Sequence, residues 1–206
     1  MKTLAILSRK GGTGKTTIGV HLSVAAEQAG HTVALIDLDP QASAVSWSEK
    51  REGDTPVVIS AHSSRLPDLL KKAEDSGVDF TIIDTAAHAE TSALAAARVA
   101  TVALIPCRPA SLDLLAIGAT VDVVKLAKVP AYVVFNGTPA RGNLTNEAQS
   151  AVEAYDVPCA PCSLGHRIAF VHALIDGLTV QESEPRGKAS KEIHTLYQYI
   201  ANEMGV

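Results

Sequence analysis

The sequence is poor in aromatic residues, which hold 4% of its 206 positions against 47% for hydrophobic residues as a whole. A core built from it must be aliphatic, packed from Ala, Val, Leu and Ile, which suits the short buried strands of an α/β domain. Cysteine is also scarce. Three in a chain of this length do not make a disulfide framework, so the expected home is the reducing cytoplasm. No apolar run approaches the roughly 20 residues that span a bilayer, and Met1-Lys2-Thr3 leads directly into a short aliphatic run and glycines rather than a secretory leader. Nor is there an excess of positive charge. The formal charge of −4 excludes a generally basic nucleic-acid binder but leaves room for a local basic patch. Repeats, low-complexity segments and linkers are absent, so one domain over 1–206 is expected.

What is present is an alternation of aliphatic runs and helix-like segments. Strands are expected at 3–8, 32–37, 56–60, 80–84, 101–106, 131–136 and 157–160. Helices are expected at 16–29, 43–51, 66–76, 90–99, 112–127, 145–155, around 168–175 and at 188–204. Such alternation predicts an α/β fold, a mostly parallel twisted sheet with helices on both faces. Ligands in such sheets sit beyond the carboxyl ends of the strands. The chemistry-bearing residues fall there: a glycine loop after the first strand, Asp37 and Asp39 after the second, then Asp84 and Asn136 after later ones.

The loop Lys10-Gly11-Gly12-Thr13-Gly14-Lys15-Thr16-Thr17 lies between a strand and a helix, the setting a phosphate-binding loop requires. Its glycines let backbone amides turn inward around phosphate oxygens, and the helix N-terminus adds a favourable dipole. Lys15 is expected to reach the β- and γ-phosphates, the Thr16 hydroxyl to bind Mg²⁺, and Thr17 to contact the α-phosphate. The loop alone predicts a P-loop protein that binds ATP or GTP with Mg²⁺, and Asp39, Asp84 and Asn136, read with the resemblance below, make the expected nucleotide ATP.

A second lysine, Lys10, stands before the paired glycines. With it the loop resembles the deviant Walker A motif of the ParA/MinD ATPases, and the resemblance runs through nearly the whole chain. It implies that Lys10 crosses an ATP-sandwich homodimer to the partner's nucleotide, acting in trans as an arginine finger does. Leu35-Ile36-Asp37-Leu38-Asp39-Pro40-Gln41 is similar to the family's first switch, with Asp39 positioning the attacking water and Asp37 supporting it near Mg²⁺. The bare residues allow another reading of these aspartates, helix capping. Ile82-Ile83-Asp84-Thr85 resembles the Walker B strand, whose carboxylate holds Mg²⁺ through water. The family's two prolines after this point are replaced by Ala86-Ala87, which permit helix where prolines would enforce an extended path. Asn136 matches the asparagine that hydrogen-bonds adenine, with a turn role for Asn136-Gly137 as the plain alternative. The Ile105–Pro109 loop and Asp113 resemble the segment that lines the dimer face. Arg167, Phe170, Ala173 and Gly177 match a motif near the family's C-terminus.

Among family members the chain looks like the short ParA class. It starts close before the loop, leaving no room for an operator-binding helix-turn-helix. The apolar stripe Ile193, Leu196, Tyr197, Ile200 and Met204 is backed by His194, Gln198, Asn202 and Glu203, without the basic face of a membrane anchor, so no membrane partner is expected. The resemblance implies plasmid or chromosome partition, or positioning of other cargo. It also implies non-specific DNA binding by the ATP dimer on the nucleoid, and a separate ParB-like adaptor that stimulates slow hydrolysis. Arg167, Arg186, Lys188 and Lys191 are the candidate DNA contacts, because phosphate-directed cations read no sequence. Two other readings share the nucleotide site. In one, Cys159 and Cys162 ligate an iron–sulfur cluster across a dimer, as in a carrier or reductase-type ATPase. In the other, the ATP switch positions protein alone, without DNA.

Overall fold

A computed structural model describes all 206 residues. The strands are β1 (Lys2–Ile6), β2 (Val33–Asp37), β3 (Val57–Ser60), β4 (Phe80–Asp84), β5 (Val102–Cys107), β6 (Ala131–Thr138) and β7 (Cys159–Gly165). They form one sheet in the order β3-β2-β4-β1-β5-β6-β7, and every neighbouring pair is parallel, so the expected mixture reduces to a wholly parallel sheet. Short apolar runs such as Val33–Asp37 and Phe80–Asp84 are buried at every position because helices cover both faces.

One face packs against α1 (Lys15–Gln28) and α10 (Lys188–Met204), together with α2 (Ser43–Ser48), α8 (Ile168–Ile175) and α9 (Val180–Ser183). The other is covered by α3 (Leu66–Asp75), α4 (Glu90–Val99), α6 (Gly118–Ala127) and α7 (Leu144–Glu153). The terminal stripe Ile193, Leu196, Tyr197, Ile200 and Met204 is buried in the first core. At about 1.5–3 kcal/mol for each large apolar side chain, that docking holds the helix to the body.

Several expectations are corrected; the helix expected over 43–51, for one, ends at Ser48. The single helix over 112–127 is two, α5 (Ser111–Ala116) and α6. The break serves packing: a Cβ on Gly118 would stand 3.0 Å from the Tyr155 ring, while the Tyr155 hydroxyl bonds the Leu114 carbonyl. The last strand runs Cys159–Gly165 rather than 157–160. Its two cysteines, three residues apart on a strand, pack against opposite cores, Cys159 with one and Cys162 with the other. A pair split across the sheet cannot close on one metal centre. That removes the basis of the iron–sulfur reading. Ala86-Ala87, though free to be helical, are not: α4 begins only at Glu90.

Candidate functional site

Register assembles the site. Ile6 pairs with Asp84, and Asp37 pairs with Asp84 from the other side, so β1, β4 and β2 end level with one another. The loop after β1 therefore opens beside two strand-end carboxylates, both fully buried. Gly12 and Gly14 take positive φ, 73° and 94°, the left-handed backbone that turns the loop amides inward. Gly14 has a second constraint: a Cβ there would lie 2.1 Å from Asn136 Nδ2.

Lys15 is buried inside the cradle, its ammonium 3.4 Å from the Lys10 carbonyl. Burial lowers its pKa, opposed by the nearby charges of Asp84 and Asp39. A phosphate chain placed here would meet a desolvated cation that lacks a full partner. Thr16 Oγ1 donates to Asp84 Oδ2 at 2.6 Å, while Asp84 Oδ1 is buried with no partner. Burial raises the Asp84 pKa to about 7 and Asp37 adds to the rise, against the lowering by the Thr16 hydrogen bond and Lys15. A hydroxyl and an orphaned carboxylate oxygen suit a hard, hydrated cation such as Mg²⁺.

Asp37 serves through the backbone. Its Oδ1 accepts from the Asp39 amide at 2.9 Å and its Oδ2 from the Ala44 amide at 2.9 Å, so it caps the turn into α2. Asp37 thus acts as the cap that its position allows, and the turn it holds carries Asp39. The Asp39 carboxylate, itself half-buried, lines the same cleft as Gly11, Gly12, Lys15 and Thr16. Ala87 lines that cleft too, and the following amide, that of His88, donates to the Arg9 carbonyl at 3.2 Å. The segment Ala86–His88 is thus fastened to the glycine loop without prolines.

Lys10 points elsewhere. Its ammonium pairs with Asp113 of α5 at 2.6 Å, outside the cradle that Lys15 fills. Asn136 does not simply turn the chain: its Nδ2 donates to the Thr13 carbonyl at 2.8 Å, leaving Oδ1 as a free acceptor. It lines a pocket of about 510 Å³ with Gly12, Thr17, Arg167, Phe170 and Val171. Arg108 lines this pocket as well, its guanidinium 3.7 Å from the Cβ position of Gly12. The sequence suggests only a dimer-face role for Arg108; a cation directly after a strand end is the signal that could have placed it here.

The expected DNA contacts divide. Arg186, Lys188 and Lys191 are exposed and in no ion pair. Arg167 is instead clamped by Glu192 of α10, beside the pocket that Asn136 lines.

Residues 4–180 match the family model described as the CobQ/CobB/MinD/ParA nucleotide binding domain. The chain belongs to that family. A carboxysome distribution maintenance protein A from Halothiobacillus neapolitanus is 30% identical, with 96% of this chain and 95% of that protein covered. The chromosome partitioning protein ParA of Caulobacter vibrioides is 34% identical over 58% of this chain and 52% of its own length. The fold is that of the septum site-determining protein MinD of Pyrococcus horikoshii, solved with Mg-ADP: TM-score 0.81, 20% identity, 97% and 95% of the two chains covered. No helix of this family member is long and apolar enough to cross a membrane.

Proposed function

We propose that this chain is a ParA-type ATPase that positions cargo by an ATP-dependent cycle of dimerisation. The observation that carries the reading is the division of labour between two lysines. Lys15 occupies the phosphate cradle, while Lys10 leaves it and is held at the surface by Asp113, available to a second subunit.

ATP enters with its triphosphate on the loop amides and Lys15, and its base in the pocket beside Asn136. Oδ1 of Asn136 is an acceptor, so it matches the exocyclic amine of adenine and opposes the carbonyl of guanine. Thr16 and Asp84 would hold Mg²⁺, which neutralises charge on the phosphate oxygens. Asp39, fixed by the Asp37 cap, orients the attacking water. Two subunits close face to face and Lys10 exchanges Asp113 for the partner's phosphates. Because phosphoryl transfer leaves little covalent work to the protein, positioning and charge neutralisation supply the catalysis. The closed dimer binds DNA non-specifically through Arg186, Lys188 and Lys191, and hydrolysis, stimulated by a separate adaptor, releases it. Plasmid, chromosome or protein assembly are the cargo classes. The near full-length likeness to a carboxysome distribution protein favours a protein assembly, and a switch that positions protein without DNA is the second reading.

Light scattering on purified protein tests the dimer. Asp39→Ala with Mg-ATP should be dimeric and hydrolyse about a hundredfold more slowly than wild type, while Lys10→Ala should stay monomeric. A Lys10→Ala variant that dimerises with ATP would falsify the role in trans. A wild-type dimer that ignores duplex DNA at low salt selects the second reading.

A further inference from the structure

The base end of the nucleotide pocket holds a cation that the phosphate chemistry leaves unused. Arg167 stands where β7 gives way to α8, in extended backbone at φ −130°. Glu192 grips it twice, accepting from Nε at 2.9 Å and from Nη2 at 2.5 Å. The same carboxylate accepts the Gly165 amide at 3.1 Å, so one α10 side chain fixes both the arginine and the strand end beneath it.

The guanidinium lies flat on Gly165. A Cβ there would be 3.0 Å from Nη2 and 3.1 Å from both Cζ and Nε, a nearly uniform spacing that only a face-on approach gives. One edge is therefore taken by Glu192 and one face by Gly165. Arg167 and Gly165 both line the pocket that holds Asn136, Phe170 and Val171, and Arg167 also lines a neighbouring one with Glu184 and Lys188. A guanidinium is planar, weakly hydrated and stacks well on aromatic faces. Clamped in advance, this one loses its rotamer freedom on folding rather than on binding, which favours the ligand that uses it.

We propose that Arg167 is a stacking platform for the purine base of the bound nucleotide, and that Glu192 is the positioning residue that holds the platform flat. The proposal rests on the ATP reading above. It withdraws Arg167 from the DNA patch and makes the C-terminal helix part of the base site.

Dissociation constants for Mg-ATP and for inorganic tripolyphosphate, which has the charge but no base, test it. They are measured on wild type, Arg167→Ala, Arg167→Lys, Glu192→Ala and Glu192→Gln. Both Arg167 variants should weaken ATP about tenfold and leave tripolyphosphate unchanged, because lysine keeps the charge and loses the plane. Glu192→Ala should weaken ATP in the same selective way, and Glu192→Gln, which keeps an acceptor, should recover part of the loss. ATP binding by Arg167→Lys as tight as wild type overturns the platform, as does an equal loss for both ligands, which marks general damage to the loop. Wild type that binds neither ligand overturns the ATP reading itself, and with it the platform.

Discussion

The buried polar atoms of the site are placed by single residues whose surroundings set their charge. His21 of α1 has no exposed surface; its Nδ1 bonds the Thr17 carbonyl at 2.7 Å and its ring meets Phe170 edge-on at 5.1 Å. Burial lowers its pKa from 6.5 to about 4, only partly opposed by the Thr17 carbonyl. The native state therefore binds fewer protons than the unfolded chain between those two values. This contribution to stability is complete above about pH 6.5 and is lost as pH falls towards 4. Asp84 acts in the opposite sense, because its pKa is raised: the folded state holds its proton up to about pH 7, and that contribution fades as pH rises. A comparison of wild type with His21→Gln in urea titrations at several pH values isolates the histidine. The stability difference between them should change by about 3 kcal/mol between pH 6.5 and 4. A flat difference would mean that His21 is solvated in the native state.

At the scale of elements, helix α2 and the residues after it are braced against the C-terminal third of the chain. Helix α2 begins four residues after Asp39, and Trp47 within it and Arg51 just beyond it reach across to α9 and the segment before it. Trp47 Nε1 donates to the Leu178 carbonyl at 3.1 Å. Arg51, its guanidinium 4.7 Å from the Trp47 ring centroid, donates to the Gly177 carbonyl at 3.1 Å and to both oxygens of Glu182 at 3.1 and 2.8 Å. Gly177 has φ 70°, and a Cβ there would stand 2.6 Å from the Lys50 carbonyl oxygen, so the approach admits only glycine. Arg51→Ala strands a partly buried carboxylate and should cost about 2–3 kcal/mol, lowering the thermal midpoint by several degrees; an unchanged midpoint would remove the brace. None of this was legible in the sequence. Trp47 and Arg51 lie four residues apart but far along the chain from Gly177, Leu178 and Glu182, and no local pattern announces a partner 131 residues away. By contrast, the loop, the strand-end aspartates and most elements were legible, because periodicity and glycine spacing are local. The misjudged boundaries lie where tertiary packing decides: at Gly118, cut short by Tyr155, and at β7, whose irregular pairing with β6 carries register shifts that blur its period.

For the whole molecule the electrostatic question raised by the proposed DNA partner is how a chain of charge −4 would hold a polyanion. At physiological salt the Debye length is about 8 Å, so charges on the far side of the body are screened and the local surface decides. Arg186, Lys188 and Lys191 lie on or just before the first turn of α10, exposed and unpaired, next to the Glu192 that ties this helix to Arg167. A dimer presents that cluster twice, which a monomer cannot. DNA affinity should therefore appear only with ATP and fall steeply with salt. Neutralising the three residues together in an Asp39→Ala background keeps the nucleotide and the dimer while removing the cluster. The slope of log affinity against log salt should then flatten by about one unit for each DNA phosphate that is no longer neutralised. Arg167→Ala in the same background should lower ATP affinity but leave the slope of the ATP-saturated dimer unchanged. Measuring both variants over duplex DNA at about 50 to 200 mM salt separates Arg167 from the three exposed cations. A slope that flattens with Arg167→Ala would return that residue to the DNA surface, and a slope untouched by the triple variant would place the DNA contacts elsewhere on the molecule.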